Sequence, residues 1–87
     1  MSTLLSSASR ASFGDWVYKQ ITPVSVTVLQ LSDYSGVHIR TLYRILNAET
    51  VLRFSDWIWL IECIADMTGQ DLTETVIDAS LHMIENR

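Results

Sequence analysis

The stretch SDYSGVHIRTLYRIL, residues 32–46, places Gly36 between two segments whose apolar residues have helical spacing. At about 100° per residue, the second segment has its leucine and isoleucine side chains on one side and Arg40 and Arg44 on the other, with Asn47 beside the arginines. Two short helices joined by a three- or four-residue turn with a glycine, the second helix carrying outward basic side chains, are typical of a helix-turn-helix. The stretch therefore predicts a helix that presents positive charge to an anion.

Five helices are predicted along the chain, and no pair of strands. Pro23 ends the first helix, and Thr27 with Gln30 has the spacing of a capping box for the second. Ser55 is predicted to cap the fourth helix, and Asp71 with Glu74 to open the fifth. The predicted ranges are 12–21, 28–34, 39–47, 56–68 and 72–86.

The 87 residues are enough for one small domain, predicted over residues 12–87 after a flexible N-terminal arm, residues 1–11. Almost half of the residues are apolar, as in globular proteins. Acidic residues interrupt the most apolar segment, so we expect no membrane span, and the arm does not read as a signal peptide, which favours the cytoplasm. Cys63 is the single cysteine, so neither a disulfide nor a cysteine-rich zinc site is expected.

Catalysis is not expected, because no nucleophile and base stand out together. His82 has no second histidine or cysteine at ligand spacing, so it is interpreted as a surface residue and no metal is expected. No cofactor is expected either.

Charge is distributed unevenly along the chain. The net charge is −4, yet residues 1–55 carry five basic and three acidic side chains, while the remainder carries one basic and seven acidic. Such segregation indicates one face suited to an anion and another that repels it.

The stretch LSDYSGVHIRTLYRIL resembles the helix-turn-helix of phage lambda repressor and Cro-like regulators, because its apolar, small and glycine positions follow that pattern. The resemblance covers about residues 27–67. It departs from the family at Ser32, where alanine is more usual, and at the usual capping position of the second helix of the motif, which is occupied by His38. It implies an all-α, five-helix fold and a transcriptional regulator that binds double-stranded DNA. The implied role is a phage or mobile-element repressor that binds a palindromic operator as a dimer.

The family's base-contacting positions correspond to residues on and beside the third helix. Arginine suits guanine and asparagine suits adenine, through bidentate hydrogen bonds. Phosphate contacts are expected from Lys19, Thr41 and Arg53. The implied base-contacting residues are His38, Ile39, Arg40, Tyr43, Arg44 and Asn47.

The last helix has two apolar stripes, and a single small core can bury only one fully. The first stripe, predicted to face the core, is Leu72, Val76, Ala79 and Met83. The second stripe is predicted to form a homodimer interface, and assembly into a tetramer stays open. This second stripe consists of Ile77, Leu81 and Ile84.

A different class of function fits some of the same features. A protein-interaction module on a helix-turn-helix scaffold, such as an antitoxin, antirepressor or adaptor, would use the acidic C-terminal half and the second apolar stripe to bind a protein partner. Trp57 is predicted to lie in the core, whereas Trp59 falls among acidic residues and is either covered by the last helix or part of an interface.

Overall fold

The computed structural model describes residues 7–50 and 52–85, with side chains from residue 12 to residue 84. This part of the chain is all-α, as predicted, and contains no β-strand. No helix in it is long and apolar enough to cross a membrane. A short 3-10 turn, Thr22–Val24, follows the first helix. The five α-helices are α1 Ser7–Ile21, α2 Val28–Ser35, α3 Ile39–Leu46, α4 Phe54–Thr68 and α5 Leu72–Glu85.

The first helix is longer than predicted. It begins at Ser7 instead of Ser12, so residues 7–11 of the predicted arm are helical, and residues 1–6 lie outside the described residues. The segment SASRA contains neither proline nor glycine, and alanine and arginine favour helix. The amphipathic spacing that fixed the predicted start is a weaker guide here than backbone propensity.

The second helix begins and ends as the capping signals predict. The Thr27 hydroxyl accepts a hydrogen bond from the Gln30 amide (3.1 Å), and the Gln30 side chain accepts one from the Thr27 amide (2.8 Å). Gly36 follows the helix with φ 77°, a left-handed conformation in which glycine has no steric penalty. The capping box is therefore confirmed, and the helix extends one residue past Tyr34.

The prediction that Ser55 is the N-cap of the fourth helix is wrong. Arg53 occupies the cap position without a side-chain hydrogen bond, and its carbonyl accepts from the Trp57 amide at 3.0 Å. This bond closes the first turn before Ser55 could act as a cap, so Ser55 is a helical residue. The other end agrees with the prediction, because Gly69 ends the helix with φ 72°.

The fifth helix opens at Leu72, where the Asp71 carboxylate accepts from the Glu74 amide at 3.1 Å. Asn86, its predicted last residue, lies outside the described residues. Ala79 and Met83 are buried and Val76 packs against the core, as predicted for the first stripe. Leu72 is 42 % exposed and does not follow the prediction; as the first residue of α5, it lies at the edge of the packed face.

The core lies between α1, α4 and the inner faces of α3 and α5. The Phe13 ring stacks on Trp16 with centroids 6.0 Å apart and contacts Trp57 at 6.4 Å. The Trp57 indole N–H points at the Met83 sulfur (3.0 Å), and the Trp16 indole N–H donates to Asp78 (2.8 Å). Both contacts attach α5 to the rest of the domain.

His82 is not the surface residue that the sequence indicates. Its side chain is 18 % exposed, and its Nε2 lies 3.3 Å from an oxygen of Asp15. Asp15 also pairs with Lys19 at 3.1 Å. The polar contacts between α1 and α5 therefore extend beyond the Trp16–Asp78 hydrogen bond.

Candidate nucleic-acid interface

The turn between α2 and α3 consists of residues 36–38 and is fixed by two buried serines. The Ser32 hydroxyl donates to the Val37 carbonyl at 2.6 Å. The Ser35 hydroxyl accepts from the Val37 amide at 3.2 Å. An alanine at position 32 would leave the Val37 carbonyl without this donor, so the Ser32 hydroxyl stabilises the turn.

His38 is the N-cap of α3. Its Nδ1 accepts a hydrogen bond from the Arg40 amide at 3.1 Å, so the cap uses only one of the two ring nitrogens. The ring is exposed. The cap orients the imidazole at the start of α3. Because capping uses Nδ1, the Nε2 atom can contact a ligand at the same time.

The inner face of α3 is fully packed. Leu42 is 0 % exposed, and Ile45 and Leu46 are also buried. Ile39 is half-buried and packs against the core, so only part of its side chain is available to a ligand. These contacts fix the rotation of α3 about its axis and decide which side chains face outward.

The outer face of α3 gathers four of the residues singled out in the sequence. Arg40, Tyr43 and Arg44 are exposed, and their spacing places them on one side of the helix. Asn47 is also exposed, but it is the C-cap and not the predicted last residue of the helix, which ends at Leu46. Neither arginine forms an ion pair within the described residues, so both guanidinium groups are available to an external anion. The face combines two fixed positive charges with a hydrogen-bonding amide and a phenol.

The residues predicted to hold phosphates are exposed but are not all on α3. Thr41 lies in α3, Arg53 caps α4, and Lys19 lies in the last turn of α1. The Asp15 carboxylate partly neutralises the Lys19 ammonium group. Arg53 makes no ion pair in the described part of the chain. Its positive charge is therefore not offset by a carboxylate, unlike that of Lys19.

Two features of this region were not found from the sequence. Gly14 of α1 packs directly against the backbone at the end of α3, and nothing in the apolar pattern marks it. Trp59 is 45 % exposed, and its indole N–H donates to the Ser35 carbonyl at 2.9 Å. The sequence left Trp59 either covered by the last helix or part of an interface, and it did not indicate this link to the end of α2.

Among the described residues, no group of three or more histidine, cysteine, aspartate or glutamate side chains is arranged to hold a metal ion. Comparisons with protein families, curated proteins and solved structures found no match to this chain.

Proposed function

We propose that this domain is a sequence-specific, double-stranded DNA-binding transcriptional regulator, with α2, the turn and α3 acting as a helix-turn-helix. The observation that carries the proposal is the exposure of Arg40 and Arg44 on α3, and of Asn47 at its C-cap, beside an inner helix face that is buried. The resemblance to phage regulators adds the expectation of a repressor from a phage or mobile element.

The chemistry of this face suits the major groove of DNA. A groove about 12 Å wide admits an α-helix, and each base pair presents a distinct set of donors and acceptors there. Arginine at positions 40 and 44 would bind guanine O6 and N7, and Asn47 would bind adenine N6 and N7. Further base contacts would come from His38 and Ile39 at the start of α3 and from Tyr43 within it.

Phosphate contacts would orient the helix in the groove. Thr41, Arg53 and Lys19 supply a hydroxyl and two cations for this purpose, and such contacts add affinity without reading sequence. The acidic side chains are concentrated after residue 55, which would keep that part of the domain away from the duplex.

A homodimer would let the protein read a palindromic operator. The second stripe of α5 is 54 %, 52 % and 56 % exposed at Ile77, Leu81 and Ile84. An isologous contact would cover this strip on both subunits at once. Two recognition helices about 34 Å apart would then meet successive major-groove faces.

The experiment that tests this function measures binding to duplexes selected from a random pool, at several salt concentrations. A DNA-binding domain that neutralises several phosphates gives a linear fall of log affinity with log salt. The rival function is a protein-interaction module, favoured by the acidic side chains of α4 and α5. Absence of selection and of any salt-dependent duplex binding would support that rival.

A further inference from the structure

A groove lies on the outer side of α4, between the end of α2 and the start of α5. Its volume is about 360 Å³. The face of α3 described above does not contribute to it. The side chains that matter most in its lining are Tyr34, Trp59, Glu62, Asp66 and Leu72.

The apolar part of the groove is exposed, and its indole ring is held by a hydrogen bond. Tyr34 is 50 % exposed, and Trp59 and Leu72 are only slightly less so. The hydrogen bond from the Trp59 indole N–H to the Ser35 carbonyl fixes the ring against the end of α2. The groove therefore offers an aromatic face that does not have to be ordered when a partner binds.

The charged part of the groove is entirely acidic. Glu62 and Asp66 are the charged side chains in its lining, and they stand one helical turn apart on α4, where like charges repel. Both are exposed, and neither forms an ion pair within the described residues. A bound cation would relieve this repulsion.

We propose that this groove binds a segment of a partner protein in which an arginine lies next to an apolar side chain. The guanidinium group would lie between the Glu62 and Asp66 carboxylates and against the face of Trp59, where a cation and an aromatic ring attract each other. The neighbouring apolar side chain would pack on Leu72 and Tyr34. DNA would be repelled by the same carboxylates.

This proposal is independent of DNA binding by α3. The groove and the recognition face use different residues, so a regulator and a protein-interaction module could each carry this site. Trp59 nevertheless contacts Ser35, the last residue of α2, so the occupied groove lies directly beside the turn.

The test begins with a display library of random twelve-residue peptides, selected on the wild-type protein. A fluorescein-labelled copy of the most enriched peptide is then titrated with the wild type and with a Glu62→Gln/Asp66→Asn variant. The matched control is Glu49→Gln/Glu74→Gln, which removes the same charge from exposed positions outside the groove. Circular dichroism checks that all three proteins are equally helical.

We expect enriched peptides to carry arginine beside an apolar residue. Binding should weaken about ten-fold in the groove variant and less than about two-fold in the control. In ¹⁵N-labelled protein, the peptide should shift the Trp59 indole N–H signal more than those of Trp16 and Trp57.

Any one of four results would overturn the proposal. The library yields no binders, or it yields binders without a basic residue. The groove variant and the control variant bind the peptide equally well. The Trp59 indole signal shifts with protein concentration alone, which would show that a second copy of the chain covers the groove.

Discussion

Gly14 of α1 lies against the main-chain carbonyl of Leu46, the last residue of α3. A Cβ atom at position 14 would be 1.9 Å from that oxygen, far inside van der Waals contact. Only glycine lets α1 approach this closely, and this contact joins the first helix to the end of the helix that carries the exposed arginines. The position of α3 therefore depends on a residue with no side chain.

The first prediction concerns this contact. Gly14→Ala should lower the free energy of unfolding by about 1–3 kcal/mol, because the two helices must move apart. In an unobstructed helix the same change would raise stability by up to about 1 kcal/mol. Urea denaturation distinguishes the two signs, and a more stable Gly14→Ala protein would show that α1 does not pack here.

The second prediction compares two residues that the sequence marks equally as helix caps. Thr27→Ala should cost about 1 kcal/mol, since its hydroxyl accepts from the Gln30 amide. Ser55→Ala should change stability by less than about 0.5 kcal/mol, since Ser55 lies inside the helix and is exposed. If the two variants lost equal stability in thermal or urea unfolding, Ser55 would act as a cap after all.

The third prediction concerns the thiol of Cys63. Burial raises its pKa, and the Glu62 carboxylate raises the pKa further. A raised pKa leaves less thiolate at a given pH, so alkylation by iodoacetamide at pH 8 should be slower than for a small cysteine peptide. Glu62→Gln should speed the reaction, and an unchanged rate would contradict the contribution of that carboxylate.

The fourth prediction tests the dimer interface proposed for the second stripe of α5. Ile77→Asp and Leu81→Asp should make the protein monomeric in sedimentation, since a charge on the strip cannot be buried unpaired. Leu29→Asp, a change at an equally exposed leucine of α2, is the control and should leave the assembly unchanged. Wild-type protein that is monomeric at tens of micromolar would contradict the proposed interface.

The helices were largely predictable because their signals are local. Apolar spacing gives the inner face of α3, and the capping box and Gly36 give the limits of α2 to within a residue. The start of α4 was not predictable from capping signals, because its N-cap is Arg53, whose side chain makes no capping hydrogen bond. Local patterns also do not show which backbone a helical glycine such as Gly14 will touch.

The candidate site also has features that were predictable from the sequence and features that were not. The outward direction of Arg40 and Arg44 follows from helical periodicity and agrees with their exposure in the structure. The serine hydrogen bonds that fix the turn and the attachment of Trp59 to Ser35 depend on side-chain positions that periodicity does not specify. The polar contacts of His82 were missed for this reason too.

The most direct test of base recognition by α3 measures the affinity of Arg44→Ala for a selected operator and for an unrelated duplex. Loss of a bidentate base contact should weaken operator binding by about 1–3 kcal/mol, or about 5- to 150-fold, and reduce the preference for the operator. Lys19→Ala is the control and should weaken both duplexes about equally. If Arg44→Ala and Arg40→Ala each bind the operator within about two-fold of wild type, α3 is not the recognition helix.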